Sequence, residues 1–138
     1  LAGMIPLGIA MNNTGTDVWI SEQLLTLFSN QKPIIILGLL FGFTMLLSGT
    51  ISNNATAIIM TPIAISIASG LNLPLKPFIL AVMFAANFSF FTPVGYQTNA
   101  LIYGTGVYKF KHFLLIGGLL SIILWIVATL LLSTLLVH

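Results

Sequence analysis

The chain has 138 residues, of which 58% are hydrophobic and only 4% are charged; its net charge is +2 and its mean hydropathy is +1.13. Since soluble domains carry about 25% charged residues, this composition excludes an ordinary soluble domain and indicates an integral membrane protein. The sequence contains no Arg and no basic run, which leaves a nucleic-acid role without support. It contains no Cys, which excludes disulfides, thiolate metal sites and Cys nucleophiles.

The first residues of the chain predict a helix end followed by an interfacial helix. Apolar residues 1–11 are typical of the end of a transmembrane helix, and the polar cluster 12–16 predicts a turn. The chain starts without Met inside an apolar run, so we expect residues 1–138 to form a single membrane domain, a fragment of a longer protein. Residues 16–29 are amphipathic and contain Trp19, which indicates a helix lying flat at the membrane surface; the alternative is a short helix in solvent.

Residues 34–70 have the pattern of a helical hairpin. Apolar residues 34–47 are too few for a full span of about 20 residues, and they run into a first polar segment, residues 48–54, before apolar residues 55–69. Two geometries fit this pattern. Either both arms cross the bilayer and the polar segment lies in a surface loop, or the arms are re-entrant and the polar segment lies at membrane depth.

Residues 78–108 predict one helix that is broken in the middle. A second polar segment, residues 92–99, interrupts the helix between apolar residues 78–91 and a weaker apolar stretch that follows. The last element is clearer. Residues 113–137 are uncharged and would measure about 37 Å as a helix, which predicts a full transmembrane span.

We expect the two polar segments to form one site. Asn, Ser, Thr and backbone carbonyls are neutral oxygen donors, which suit a hard monovalent cation such as sodium. A helix N-terminus near Asn54 or Asn99 would add free backbone N–H groups and the positive end of a helix dipole, which favour an anion. Discontinuous helices with such sites at mid-membrane are a recurring feature of secondary transporters.

At these residues the chain resembles the divalent anion:sodium symporters. Residues 52–57, Ser-Asn-Asn-Ala-Thr-Ala, are similar to the Ser-Asn-Thr signature of that family. Residues 95–99, Gly-Tyr-Gln-Thr-Asn, are similar to the second signature of its bacterial permeases. The resemblance covers essentially the whole chain and implies the second of two inverted repeats. The implied fold is all-α and integral to the membrane, with transmembrane helices, a re-entrant helical hairpin and a broken helix, in an elevator-type secondary transporter.

The resemblance also implies roles for individual residues. Asn53 would contact both sodium and the anion, and the carbonyl of Gly95 would help to hold the sodium. The implied sodium-binding residues are Ser48, Ser52, Asn53 and Gly95. The implied substrate-binding residues are Asn53, Asn54, Tyr96, Gln97, Thr98 and Asn99. Sodium is the coupling ion, and neither another metal nor a cofactor is implied.

Two departures from the family pattern concern the substrate. The Thr of the signature is Asn54 here, and Tyr96 and Gln97 stand where dicarboxylate carriers typically show Thr-Pro. We therefore expect either a dicarboxylate or a sulfate-like oxyanion as the transported divalent anion. The resemblance further implies an N-terminal repeat of the same transporter and a homodimer as partners, and the bacterial plasma membrane as the location.

Two other functions stay open at the level of the sequence. One is another branch of the wider ion-transporter superfamily, an arsenite or sodium/proton antiporter, although a proton carrier would need an intramembrane carboxylate. The other is a non-transporting membrane module. An enzyme is not indicated, because the sequence shows no acid–base pair or nucleophile–base pair. His112 and His138 stand apart from other ligand residues, so neither predicts a metal site.

Overall fold

The described part of the chain consists of helices and loops. A computed structural model describes residues 5–16, 18–19, 22–23, 26 and 31–136, and no strand occurs among them. The helices are α1 Ile5–Thr14, α2 Pro33–Ser48, α3 Asn53–Gly70, α4 Leu75–Ala85, α5 Gln97–Gly104 and α6 Phe110–Leu136. This confirms the all-helical part of the predicted fold class. The predicted interfacial helix, residues 16–29, lies for the most part outside the described residues.

Helix α1 continues further than the sequence predicted. The polar cluster 12–16 predicted a turn, whereas α1 runs to Thr14. The Thr14 hydroxyl donates a hydrogen bond to the carbonyl oxygen of Ala10, at 2.7 Å, so this polar side chain is accommodated within the last helical turn. Gly15 follows with a φ of +67°, a left-handed conformation that glycine adopts without steric cost. The helix therefore ends at the glycine rather than at the first polar residue.

Helices α2 and α3 follow one another after a short connection, residues 49–52. Pro33 occupies the first turn of α2, where its missing N–H costs nothing because that group has no partner within the helix. Ser52 is extended and caps α3: its Oγ accepts a hydrogen bond from the N–H of Ala55, at 3.3 Å. This cap explains why α3 begins at Asn53, directly after the connection.

The apolar core lies where α2 and α3 pack on α4. Its largest side chains are Phe41 of α2 and Phe78 of α4, which have no exposed surface. Lipid tails are as apolar as these side chains, so within a membrane it is close packing rather than exclusion of water that holds such helices together. The other core residues are Ile36, Leu37, Leu40, Met45, Met60, Ile63, Ala64, Ile67, Ala68, Ala81, Val82, Ala85 and Leu132.

Helix α4 ends earlier than the sequence predicted. The apolar pattern predicted a helix through residue 91, whereas α4 ends at Ala85 and a loop, residues 86–96, leads to α5. Within this loop, the carbonyl oxygen of Phe88 accepts a hydrogen bond from the hydroxyl of Ser121 in α6, at 3.3 Å. The loop backbone thus bonds to a distant helix instead of to its own next turn. Local sequence could not indicate this, because the partner lies far along the chain.

Helix α6 is the candidate membrane span of the described residues. It has 27 residues, an 18-residue stretch of which has a mean hydropathy of 2.6, and it measures about 40 Å at about 1.5 Å per residue. Its second turn, Phe113–Gly117, is π-helical, and its last turn is a 3-10 turn. Side chains such as Leu115 and Ile116 are exposed, which suits a surface in contact with lipid.

Helix α6 packs on α2 through two glycines. Gly38 and Gly42 lie one turn apart, and small residues at this spacing let membrane helices approach closely. The Trp125 ring lies over Gly42, and its Nε1–H donates a hydrogen bond to the carbonyl oxygen of Gly38, at 2.7 Å. The side chain of Thr129 packs against Gly38. These contacts hold α6 at a defined position along α2.

The variant Gly42→Ala should weaken the packing of α6 on α2. A Cβ at residue 42 would lie 2.7 Å from the ring of Trp125, so the ring would have to move. We expect a loss of about 1–3 kcal/mol of stability, as for other overpacked sites, seen as a lower midpoint of thermal unfolding in detergent. Gly104→Ala is the control, because nothing beyond its own chain neighbours and helix backbone lies within 4 Å of a Cβ at that position. Equal midpoints for the two variants would contradict the close contact.

Candidate functional site

Four helix ends meet at one side of the core. Ser48 is the last residue of α2 and Asn53 is the first residue of α3. The loop after α4 returns to these two residues and leads into α5 at Gln97. Within the loop, the hydroxyl of Thr92 donates a hydrogen bond to the carbonyl oxygen of Gly49, at 2.7 Å. The structure thus brings the two polar segments of the sequence into contact.

Oxygen atoms surround the end of the Asn53 side chain. One terminal position of its amide lies 2.8 Å from the Oγ of Ser48 and 3.2 Å from the Oγ of Ser89. The same position lies 3.0 Å from the carbonyl oxygen of Ala86 and 3.0 Å from that of Gly95. The hydroxyl of Ser48 in turn donates to the carbonyl oxygen of Ala86. We call these four oxygens the oxygen cluster.

The orientation of the Asn53 amide follows from what surrounds it. An amide oxygen at the clustered position could accept hydrogen bonds from the two hydroxyls, but it would be repelled by the two carbonyl oxygens. An NH₂ group at this position lies within hydrogen-bonding distance of all four oxygens, and its two hydrogens can be donated to any of them. We therefore place the NH₂ group there. A cation among the same oxygens would favour the reverse orientation, because the amide oxygen would then become a further ligand.

Gly95 lets the loop pass close to the end of α2. A Cβ at this residue would lie 2.6 Å from the carbonyl oxygen of Ser48 and 2.7 Å from the Cβ of Ser89. Cβ atoms do not make contacts this short with backbone, so glycine is required at this position. Its absence of a side chain allows the Gly95 carbonyl to reach the oxygen cluster.

Polar side chains hold the irregular backbone of the loop. Besides its bond to Gly49, the Thr92 hydroxyl accepts a hydrogen bond from the N–H of Gly95, at 3.1 Å. The Nδ2 of Asn99 donates to the carbonyl oxygens of Thr92, at 3.0 Å, and of Ser89, at 3.4 Å. These bonds replace helical bonds that the loop backbone lacks. They also fix the direction in which its carbonyl groups point.

A polar cavity of about 310 Å³ lies beside the oxygen cluster. Gly95, whose carbonyl belongs to the cluster, and Asn53, whose amide the cluster surrounds, both line the cavity, so the cavity and the cluster share a wall. None of the residues that line the cavity carries a formal charge, and most of them offer an amide or hydroxyl group. They are Ser52, Asn53, Asn54, Asn87, Gly95, Tyr96, Gln97 and Thr98.

Two helices begin at the wall of this cavity: α3 at Asn53 and α5 at Gln97. The first N–H groups of a helix have no partner within the helix, and the helix dipole places about half a positive charge at that end. The cavity therefore combines N–H donors and a positive potential without any cationic side chain among its lining residues. Such an environment favours a bound anion.

Most residues that the sequence predicted for the site lie at this place. Those that line the cavity are Ser52, Asn53, Asn54, Gly95, Tyr96, Gln97 and Thr98. Ser48 lies behind Asn53, in the oxygen cluster. The hydroxyl of Ser52 caps α3 and is not among the cluster atoms. Asn99 bonds to carbonyl oxygens of the loop and is not among the lining residues.

The structure adds two residues that sequence reasoning did not assign to the site, and it gives a role to a third, Thr92, which belongs to the second polar segment. Asn87 lines the cavity, Ser89 belongs to the oxygen cluster, and Thr92 joins the two polar segments. Asn87 and Ser89 are polar residues within an apolar stretch, which is a signal that could have found them. Their position became clear only because α4 ends at Ala85, which releases both residues from the helix.

A larger cavity, of about 450 Å³, lies between α5 and the start of α6. Its wall is formed almost wholly by apolar groups, including Phe90, Ile102 and Ile116. Only Tyr108 and His112 among its lining residues carry a polar side-chain group, which is fewer than an ion needs once it leaves water. Size alone therefore does not identify the ion site in this protein.

Comparison with known proteins gives a family match over the entire sequence. The model of the citrate transporter family matches residues 1–138. An uncharacterized transporter of Synechocystis sp. is 44% identical over 131 residues, which are 95% of this chain and 21% of that protein.

Two further relatives have names that state what they carry. A sodium-dependent dicarboxylate transporter of Staphylococcus saprophyticus is 33% identical over 125 residues, 88% of this chain and 24% of that protein. Sodium/sulfate cotransporter 1 of Chlamydomonas reinhardtii is 38% identical over 85 residues, 62% of this chain and 10% of that protein. The chain thus spans less than a quarter of the length of each of these relatives.

The variant Thr92→Val should weaken the contact between the two polar segments. Valine has the shape of threonine without the hydroxyl, so the Gly49 carbonyl and the Gly95 N–H would each lose a partner. We expect a loss of about 2–4 kcal/mol of stability, since each unpaired buried group costs about 1–3 kcal/mol; the measurement is thermal unfolding in detergent. Thr50→Val is the control, because that exposed hydroxyl donates to the Leu47 carbonyl of its own segment. A loss no larger than that of the control would refute the bridging role.

Proposed function

Because the chain belongs to the citrate transporter family, we propose that it forms one repeat of a sodium-coupled secondary transporter for a small divalent anion. Family membership makes the chain part of an integral membrane protein, and the names of its relatives indicate transporters rather than enzymes. The observation that carries the proposal is the wall shared by the polar cavity and the oxygen cluster, which Asn53 and Gly95 form.

Sodium would bind in the oxygen cluster. The ligands would be the hydroxyls of Ser48 and Ser89, the carbonyl oxygens of Ala86 and Gly95, and the amide oxygen of Asn53 after its rotation. All of these are neutral, hard oxygen donors, which suit a monovalent cation. Neutral ligands also allow release, since a transporter must bind its ion strongly enough to take it up and weakly enough to let it go.

The anion would bind in the polar cavity. The N-termini of α3 and α5 supply N–H donors and positive potential, while Asn54, Gln97 and Thr98 supply side-chain hydrogen bonds. A cationic side chain is not needed, because the sodium behind Asn53 compensates part of the charge. An Arg in this place would hold a dianion too tightly and would be costly within the membrane whenever the cavity is empty.

Asn53 would couple the two binding events. Its NH₂ group faces the oxygen cluster as long as no cation occupies the cluster. Sodium favours the reverse orientation, in which the amide oxygen binds the cation and the NH₂ group turns toward the cavity. In that orientation the NH₂ group can donate to an anion, so each ligand favours the conformation that the other needs.

The short length of α2 supports a re-entrant position for the hairpin that α2 and α3 form. The 16 residues of α2 measure about 24 Å, which is less than the hydrocarbon core of about 30 Å. The oxygen cluster at the end of α2 would then lie within the membrane. In the full transporter, the other repeat would complete the site, the domain that carries the site would move as an elevator, and two copies would form a dimer.

The lining residues leave two classes of divalent anion as substrates. Asn54 departs from the family signature, Tyr96 and Gln97 depart from the dicarboxylate pattern, and all three residues line the cavity. Their amide and hydroxyl groups can donate to the oxygens of sulfate as well as to a carboxylate. We propose a small dianion, a sulfate-like oxyanion or a dicarboxylate, as the substrate.

Substitutions of Asn53 in the full-length transporter test the coupling. Asn53→Asp keeps the oxygen that sodium needs but removes the NH₂ group and adds a negative charge. We expect this variant to retain stabilisation by sodium in thermal unfolding, while anion uptake in proteoliposomes falls by about 100-fold or more, for a lost charge-assisted hydrogen bond of about 1.5–3 kcal/mol plus repulsion. Asn53→Ala should lose both the stabilisation and the uptake.

Asn13→Ala is the matched control, because Asn13 is an exposed residue of α1 that is not among the residues lining the cavity. It should retain both properties. Normal sodium-dependent uptake by Asn53→Ala, at normal expression, would refute the assignment of Asn53.

Uptake by the full-length transporter tests the function itself. We expect labelled sulfate or labelled succinate to enter proteoliposomes only when a sodium gradient is present, with potassium as the control cation. Sulfate uptake alone would assign Asn54, Tyr96 and Gln97 to an oxyanion site, and succinate uptake would show that a dicarboxylate site tolerates them. Uptake of neither anion, or uptake without sodium, would overturn the proposed function.

A further inference from the structure

The π-helical turn of α6 lies against the loop that forms part of the oxygen cluster. Phe113–Gly117 is the π-helical segment, and Gly117 at its end is buried. Single π-turns within α-helices are rare and are found frequently at functional sites. Here the neighbour is the loop backbone: a Cβ at Gly117 would lie 2.1 Å from the carbonyl oxygen of Phe90.

One turn further along α6, Ser121 makes a second contact with the same loop. Its side chain is only 1% exposed, and its hydroxyl donates to the carbonyl oxygen of Phe88, at 3.3 Å. The loop residues next to Phe88 carry the cluster oxygens: Ser89 follows it directly, and Ala86 precedes it by two residues. Gly117 and Ser121 therefore touch the loop on both sides of Ser89.

Helix α6 is itself fixed to the helix that supplies the remaining part of the cluster. Trp125 lies one turn beyond Ser121 and bonds to Gly38 of α2. The same α2 ends at Ser48, whose hydroxyl belongs to the cluster. A rigid path therefore runs from Ser48 along α2, across to α6, and from α6 to the loop carbonyls. This path acts on the distance between the two halves of the cluster together with the direct hydrogen bonds from Ser48 to Ala86 and from Thr92 to Gly49.

We propose that Gly117 and Ser121 are positioning residues for the cation site: they set the place of the loop oxygens without touching the ion. This inference rests on the proposed sodium-coupled function. Its physical basis is that a cation ligand shell tolerates only small displacements, so residues behind the ligands affect ion affinity. If the loop moved away from α6, the carbonyl of Ala86 and the hydroxyl of Ser89 would move with it.

Two adjacent glycines provide a matched test in the full-length transporter. Gly117→Ala places a Cβ against the Phe90 carbonyl, whereas Gly118→Ala places one 4.0 Å from the nearest atom, in ordinary contact. Both changes have the same effect on helix propensity. We expect Gly117→Ala to raise the sodium concentration for half-maximal uptake by about tenfold or more, with an unchanged anion KM at saturating sodium. Gly118→Ala should behave as the wild type.

A second pair of variants addresses the risk that Gly117→Ala does not fold. Ser121→Ala removes the hydroxyl that holds the Phe88 carbonyl, and Ser133→Ala removes one that donates to Leu130 within α6 itself. We expect Ser121→Ala to shift the sodium dependence in the same direction and Ser133→Ala to leave it unchanged. A purely structural role would lower the amount of active protein and the maximal rate, but not the sodium dependence.

The outcomes separate this inference from the proposed function. Sodium dependence that is the same in Gly117→Ala, Ser121→Ala and the wild type would overturn the positioning role and leave the proposed function standing. If Gly117→Ala does not fold, the sodium dependence of Ser121→Ala alone decides whether the positioning role holds. Uptake by the wild type that needs no sodium would overturn both the proposed function and this inference.

Discussion

The half-buried amide of Asn53 is the contact on which the site depends, because it joins α2, α3 and the loop between α4 and α5. It lies on the first residue of α3 and reaches the last residue of α2 and both ends of this loop, at Ala86 and Gly95. An amide carries a donor and an acceptor on one rigid group. The same side chain can therefore satisfy carbonyl oxygens in one orientation and help to hold a cation in the other.

The scaffold around this amide compensates for backbone that is not helical. Residues 86–96 form a loop, so their N–H and C=O groups need partners other than a helical turn. Hydroxyl and amide side chains from α2, the loop, α5 and α6 supply them. These side chains are Ser48, Thr92, Asn99 and Ser121. Gly95 and Gly117 contribute by having no side chain where two backbones approach.

Because the lining residues carry no charge, binding of an anion in the cavity would depend on a cation in the oxygen cluster. An anion in the polar cavity would be held by helix N-termini and neutral donors alone, which would stabilise it less than a cationic side chain. A cation beyond the shared wall would supply the missing attraction. Coupling of this kind is reciprocal, because whatever free energy the cation adds to anion binding the anion adds to cation binding.

The sequence by itself determined the class of the protein and most residues of the candidate site. Few charges and long apolar stretches require a membrane environment, and the two polar segments, with their resemblance to a transporter family, identified Asn53 and Gly95. The tertiary structure decided where α4 ends, that Ser89 joins the oxygen cluster, and that Asn99 donates a hydrogen bond to the loop backbone. The reason is physical: composition and local pattern are properties of a segment, whereas these features depend on hydrogen bonds between residues that lie far apart in the chain.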